Sequence, residues 1–190
     1  YGSVSHMGVV LLGIASLHPI GLTGALMQMV AHGLSAALLF LLVGLLYQRT
    51  HRRDVGYYGG MIHVTPRFAM LMAVAFVAAV GMPGTAGFIA ELHVLVGSFH
   101  HWQGWVLLLS LGMIIGAAYA VRTVDTLFSG AARPGIRTLT DLTPMEGATA
   151  GTLVAGTLLL GILPGPALEI MLRVVEPLSR LFAVRLPYPL

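Results

Sequence analysis

One carboxylate stands alone inside a long apolar stretch. Glu91 follows Gly81-Met82-Pro83-Gly84-Thr85-Ala86-Gly87-Phe88-Ile89-Ala90, and the nearest acids on either side are Asp54 and Asp125. An ionisable side chain at mid-depth in a bilayer is costly, so it faces a protein or water interior and works there. The glycines and proline beside it predict interrupted helical backbone, the device by which transporters build ion sites. The chemistry open to such a carboxyl is proton uptake and release. Burial disfavours its charged form, a nearby cation favours it, and a group balanced between the two can load and unload. Imidazoles suit the relay steps, because their unperturbed pKa of about 6.5 lies near working pH. Gln28 and His32 are four residues apart and share a helix face. His6 stands near the start of the chain beside Ser3 and Ser5. His93 is two residues from Glu91, hence on another face, and reads first as a histidine touching a neighbouring helix.

These residues must be positioned by membrane-spanning helices. The chain has 190 residues, of which 57% are hydrophobic and 9% charged, against about 25% charged in soluble domains. An all-α, polytopic membrane helix bundle follows, with a broken helix near Glu91. Cysteine is absent, which excludes disulfides and cysteine metal sites. All the basic residues are arginine, and the net charge of +3 falls in loops and tail. No arginine cluster is interleaved with aromatics, so no nucleic-acid partner is expected; the lipid bilayer is. Because the chain opens on Tyr1 and turns apolar at once, it is expected to be a piece of a longer polypeptide.

Taken in order, the first apolar run is Val4 to Leu17, and His18-Pro19-Ile20-Gly21 reads as a turn. Leu22 to Tyr47 is a long span, with Gly24, Gly33 and Ser35 small enough for close helix contact. His32 reads equally as a packing histidine or a working one; at mid-membrane the first reading weakens, because a buried polar group must find a partner. Gln48 to Val64 is a loop with Arg49, Arg52, Arg53 and Asp54. Thr65-Pro66 predicts an N-cap with proline at the first helical position. Arg67 to Val80 runs to the breaker, and Thr85 to Phe99, too short to span alone at roughly 1.5 Å per residue, carries Glu91. Gly104 to Phe128 is a span in which Arg122 and Asp125 can pair. Thr143-Pro144-Met145-Glu146 matches a capping box, opening a last span to Leu163. Two parts result: a transmembrane bundle over 1–166 and an interfacial amphipathic tail over 167–190. In that tail Glu169, Arg173, Glu176 and Arg180 oppose Leu168, Met171, Leu172 and Val175; it is expected to lie along the interface or against a neighbouring subunit. No phosphate loop, Gly-x-Gly-x-x-Gly, haem or iron–sulfur spacing, or Ser/His/Asp set occurs, so no cofactor and no metal are expected on this chain.

Three separated stretches resemble one family. They are Ser3-Val4-Ser5-His6-Met7-Gly8, the run Gly24-Ala25-Leu26-Met27-Gln28-Met29-Val30-Ala31-His32-Gly33-Leu34-Ser35, and residues 81–99. Their order and spacing resemble the antiporter-like subunits of respiratory complex I, NADH:quinone oxidoreductase, and most closely the M, or ND4-type, members. The resemblance implies the C-terminal part of a larger fold built on two inverted repeats. It places Glu91 on the acid of the second broken helix, and His32 and His6 on histidines of the central hydrophilic axis. Gln28 and His93 stay possible accessories. Ala90 stands where glycine is usual, and Leu92 and His93 replace more typical apolar or aromatic residues. The implied activity is proton translocation in a bacterial inner membrane, driven by redox chemistry elsewhere. NADH, FMN, iron–sulfur clusters and quinone are then expected in partner subunits. The alternatives are an Mrp-type sodium/proton antiporter or a membrane-bound hydrogenase subunit, which share fold and motifs, and a purely structural scaffold, which would tolerate neutral replacement of Glu91 and His32. The arginine-rich loop favours a cytoplasmic place for that side and for the tail, whereas the resemblance implies the outer face for the tail.

Overall fold

Pro19 opens the longest helix. A proline at the first helical position lacks an N–H that would be unpaired there anyway. His18 before it is the cap: its Nδ1 accepts from the Ile20 N–H at 3.3 Å. In this computed structural model, which describes residues 2–183, α2 runs unbroken over Pro19–Thr50. The expected turn is therefore corrected: Ile20 and Gly21 are already helical, because proline at this place starts a helix. The 32 residues of α2 reach roughly 48 Å at ~1.5 Å per residue, longer than the ~30 Å hydrocarbon core.

Before it, α1 spans Gly2–Ala15, and Leu17 at φ 53° reverses the chain. The two helices form an antiparallel hairpin in which Gly13 lies against Gly21, and His6 against Gln28. At the far end His51, also at φ 53°, caps α2 with its N–H on the Tyr47 carbonyl at 2.7 Å. The loop thus begins later than Gln48, and it contains a 3-10 turn at Val55–Tyr57 and a short helix, α3, at Met61–Val64.

Two shorter helices follow, α4 (Pro66–Ala79) and α5 (Ala86–Trp102). Both lie antiparallel to α2. Phe68, Ala69, Met72 and Ala75 of α4 pack with Leu38, Leu42, Leu45 and Leu46 of α2. Further along α2, Gly24 meets His93 and Val94 of α5, and Gly21 meets Gly97. The two are halves of one interrupted crossing, broken over residues 80–85, where Gly81 (φ 71°) and Gly84 (φ 94°) take backbone conformations that L side chains avoid. Gly33, expected at a helix contact, faces open space instead.

Thr65 stands at the N-cap of α4, yet its hydroxyl donates to the Met61 carbonyl at 3.3 Å. The capping oxygens come from Asp141, which accepts from the Arg67 and Phe68 N–H groups, both at 3.0 Å. A 3-10 turn at Gln103–Leu107 leads into α6 (Leu108–Phe128). Arg122 and Asp125 form no ion pair there; the Arg122 carbonyl accepts from the Thr126 hydroxyl at 2.8 Å. α7 (Pro144–Ile162) opens on the expected capping box, with Thr143 Oγ1 accepting from Glu146 N–H at 3.3 Å and Glu146 Oε2 from Thr143 N–H at 2.8 Å. α8 (Gly165–Ala183) contains Pro177. Its apolar residues Leu168 and Met171 pack on Met27 and Ala31. An amphipathic helix takes the nearest apolar surface, here α2 of its own chain, which was not among the expected resting places. Tyr1 and the end of the expected tail, 184–190, lie outside the described residues.

The chain is an all-α membrane bundle. Among the described residues, α2, residues 111–128 of α6, and α7 are long and apolar enough to cross a membrane. α4 and α5, of 14 and 17 residues, are each shorter than those three.

Candidate functional site

Glu91 sits in the second turn of α5, just past the break. Its residue is 3% exposed. Small residues let three helices converge on it. Gly13, Gly21, Gly24 and Gly97 remove the bulk that would hold α1, α2 and α5 apart; a Cβ on Gly24 would lie 2.6 Å from the Val94 nitrogen. Gly81 abuts the carboxylate directly, since a Cβ there would fall 2.7 Å from Glu91 Oε2. Gly81 was read from sequence only as a breaker. Its proximity could not be read from local pattern, because it depends on how the chain folds back across the break.

Around the carboxyl the described side chains form a small polar cluster. His6 Nδ1 of α1 lies 3.6 Å from Glu91 Oε1. The same Nδ1 receives the Gln28 side-chain N–H, with Nε2 at 3.0 Å. The His6 and His32 rings are 5.0 Å apart, centre to centre, and tilted by 34°. A narrow cleft joins these groups, lined further by Ser35, Ala78 and Gly81. Two oxygens in it, Glu91 Oε2 and Gln28 Oε1, are buried with no hydrogen-bond partner among the described residues. Most buried polar atoms are paired, so each exception asks for a reason.

His6, Gln28, His32 and Glu91 therefore come together although they lie up to 85 positions apart in sequence. His93 does not join them: its Nδ1 is 2.8 Å from the Ile89 carbonyl of its own helix, and its Cβ packs on Gly24. Among the described residues no group of three His, Asp or Glu side chains is arranged to hold a metal.

A buried carboxyl beside a helix break, approached by an imidazole of another helix, is set in a polytopic membrane bundle. The family described as NADH:quinone oxidoreductase/Mrp antiporter, TM, matches residues 1–116, and the chain belongs to it. It is 40% identical over 166 residues to NADH-quinone oxidoreductase subunit M of Rhodobacter capsulatus, a match covering 86% of this chain and 32% of that protein. The chain thus spans about a third of the length of such relatives. In structure it is similar to a chain of respiratory complex I from Thermus thermophilus with bound NADH, with a TM-score of 0.88 and 35% identity over 95% of this chain and 38% of that one. The Mrp complex from Dietzia shares the fold, with a TM-score of 0.80 at 21% identity over 96% of this chain and 43% of that one.

Proposed function

We propose that this chain is part of a proton-translocating membrane subunit of an NADH:quinone oxidoreductase in a bacterial plasma membrane. It performs no redox chemistry. NADH, FMN, iron–sulfur clusters and quinone belong to partner subunits, and the energy reaches this chain through its neighbours in the membrane. Residues 1–166 make up the membrane bundle and 167–190 an interfacial tail, of which the described part, to Ala183, is helix α8 packed on α2. The similarity to subunit M of Rhodobacter capsulatus supports the subunit type, and the polar cluster supports the chemistry.

One observation carries the reading: Glu91 is buried, with one oxygen unpaired and the other 3.6 Å from His6 Nδ1. A carboxyl kept there for structure would have its oxygens saturated. Closing that gap by about 0.6 Å makes a hydrogen bond of ordinary length, along which a proton passes between carboxyl and imidazole. His32, with its ring beside that of His6, is the next station. A charge shifting nearby in a medium of effective dielectric about 20 changes the energy of its neighbour by several kcal/mol at contact range, enough to drive loading and release. Gln28 holds His6 in place, while His93 stands aside from the route.

The test is Glu91→Gln in the complete complex, reconstituted in vesicles. Assembly and quinone reduction with an uncoupler present should persist, and proton uptake should collapse. Undiminished uptake would remove Glu91 from the mechanism. The second reading is an Mrp-type sodium/proton antiporter, favoured by a family description that names both. Sodium-dependent proton movement without NADH would select it, and the 40% identity to a subunit M weighs against it.

A further inference from the structure

Gln28 is almost wholly enclosed, at 1% exposure. Its nitrogen is committed to His6 Nδ1 at 3.0 Å, while its oxygen is buried with no partner among the described residues. An unpaired buried amide oxygen is costly, because it loses its water and gains nothing in return. The atom Gln28 holds is also the one nearest Glu91: Nδ1 stands 3.6 Å from Oε1. A proton exchanged between Glu91 and His6 therefore arrives at, or leaves, the nitrogen to which Gln28 is bonded.

We propose that Gln28 is a positioning residue that follows the protonation state of His6 by turning its amide end for end; this rests on the reading of Glu91 and His6 as proton carriers. With Nδ1 bare, the amide N–H donates to its lone pair, which is the arrangement that the 3.0 Å Nε2–Nδ1 contact fits. For Nδ1 to take the proton from the Glu91 carboxyl, the Gln28 N–H must first leave its single lone pair; the transfer then leaves a carboxylate and an imidazolium, and Nδ1 becomes a donor. The NH2 group then faces another N–H and is repelled. A half-turn of the terminal torsion brings Oε1 round to accept. The two ends of the amide are nearly isosteric, and that torsion is broad and roughly two-fold, so the exchange needs no repacking. The loaded state pairs the oxygen that the unloaded state leaves alone, and the NH2 group takes the unpaired place instead. Both forms of His6 have a partner, which keeps the ring aimed at Glu91 before and after transfer. Among the described residues, the titratable groups that face His6 are Glu91 from α5 and His32 from α2; α4 presents only Ala78 and Ala79 to the cleft.

The experiment uses the complete complex in vesicles and records redox-driven proton uptake against pH for the natural protein, Gln28→Glu and Gln28→Met. A glutamate offers an acceptor alone and favours the protonated ring, so the alkaline limb should move to higher pH by about one unit or more. A methionine fills the space without a hydrogen bond, so uptake should slow and the limb should move the other way. Rate losses in both variants with an unshifted profile would mean that Gln28 only packs, and would overturn the proposal. Infrared difference spectra of the unaltered complex, its glutamine side-chain carbonyls labelled with carbon-13, supply a measurement that needs no variant. A labelled band should shift as the pump turns over; no labelled band would equally overturn the proposal. Glu91→Gln in the same vesicles keeps the two readings apart. If that variant pumps normally, the proton route itself fails. If it is silent while Gln28→Glu leaves the profile unmoved, the route stands and the rotating amide alone is lost.

Discussion

Two polar clusters are built into this bundle, and they are finished in opposite ways. At the end of α2, Arg49 Nη2 donates to Glu146 Oε2 at 2.6 Å, and the same oxygen accepts from Thr143 N–H at 2.8 Å. Beside it Asp141 accepts from three N–H groups, of Arg67, Phe68 and Leu142, at 3.0, 3.0 and 2.8 Å. These acids tie the starts of α4 and α7 to the end of α2. At mid-span, Glu91 has an oxygen with no partner among the described residues and a neighbour held just beyond hydrogen-bond range. Saturated acids lock helices together. An unsaturated one is available to a proton.

The strongest way to break this contrast is to neutralise one charged side chain from each cluster. Glu91→Gln should lower proton uptake by about 10²-fold or more, the usual scale for removing a proton-transfer group, and leave assembly intact. Arg49→Ala or Asp141→Ala should do the reverse: uptake per assembled complex unchanged, with the bundle destabilised by about 1–2 kcal/mol for lost caps and charged hydrogen bonds, read as a lower midpoint of thermal inactivation. If Asp141→Ala silenced transport in fully assembled complex, the division between locked and available acids would be wrong.

A finer test moves the carboxylate and leaves its charge. Gly81→Ala asks an L residue to adopt φ 71° and places a methyl 2.7 Å from Glu91 Oε2. The backbone cost alone is about 1–2 kcal/mol. Uptake should fall several-fold, less than for Glu91→Gln, because the acid is displaced toward or away from His6 and stays ionisable. Gly33→Ala, where the methyl would meet open space, should change nothing and serves as the control.

The same contrast marks what sequence could and could not tell. Glu91 was legible because a lone acid in apolar sequence beside glycines and a proline has few innocent explanations. The capping box at Thr143 was legible because both members lie within four residues. Arg49–Glu146 and the Asp141 cap were not, since their partners are 97 and more than 70 positions apart and no local pattern couples them. The turn was carried too far along the chain: it falls at Leu17 and His18, and the proline after them starts a helix that already includes Ile20 and Gly21. Arg122 and Asp125 have the right spacing for a pair, but spacing permits contact without compelling it on a helix where other bonds compete. The meeting of His6, Gln28 and Glu91 needed a helical hairpin and glycine-lined crossings. The sequence displayed those glycines without showing which would touch: Gly24 does, Gly33 does not.

The smallest expected effect lies outside both clusters, where α2 begins. The ring of His18 stacks on that of His100 with centres 4.6 Å apart and planes at 12°. Burial first, and the neighbouring His100 second, hold His18 below the ordinary histidine value. A depressed value in the folded state means that the unfolded chain takes up the proton more readily. The contribution of His18 is therefore intact above about pH 6.5 and is lost as pH falls below that. Structure gives the same sign, since protonating Nδ1 breaks its bond to the Ile20 N–H and sets a positive charge at a helix N-terminus. Acidifying the complex from about pH 7.5 to about 5.5 should lower its thermal-inactivation midpoint. His18→Asn, which keeps a capping oxygen and removes the titration, should shrink that difference, and His100→Ala should shrink it less, because burial is the larger cause. Proton uptake near neutral pH should be untouched by both. A transport defect in His18→Asn as deep as that of Glu91→Gln would show that ionisable groups at the helix ends share the work of the mid-span cluster, and the separation of the two kinds of site would fail.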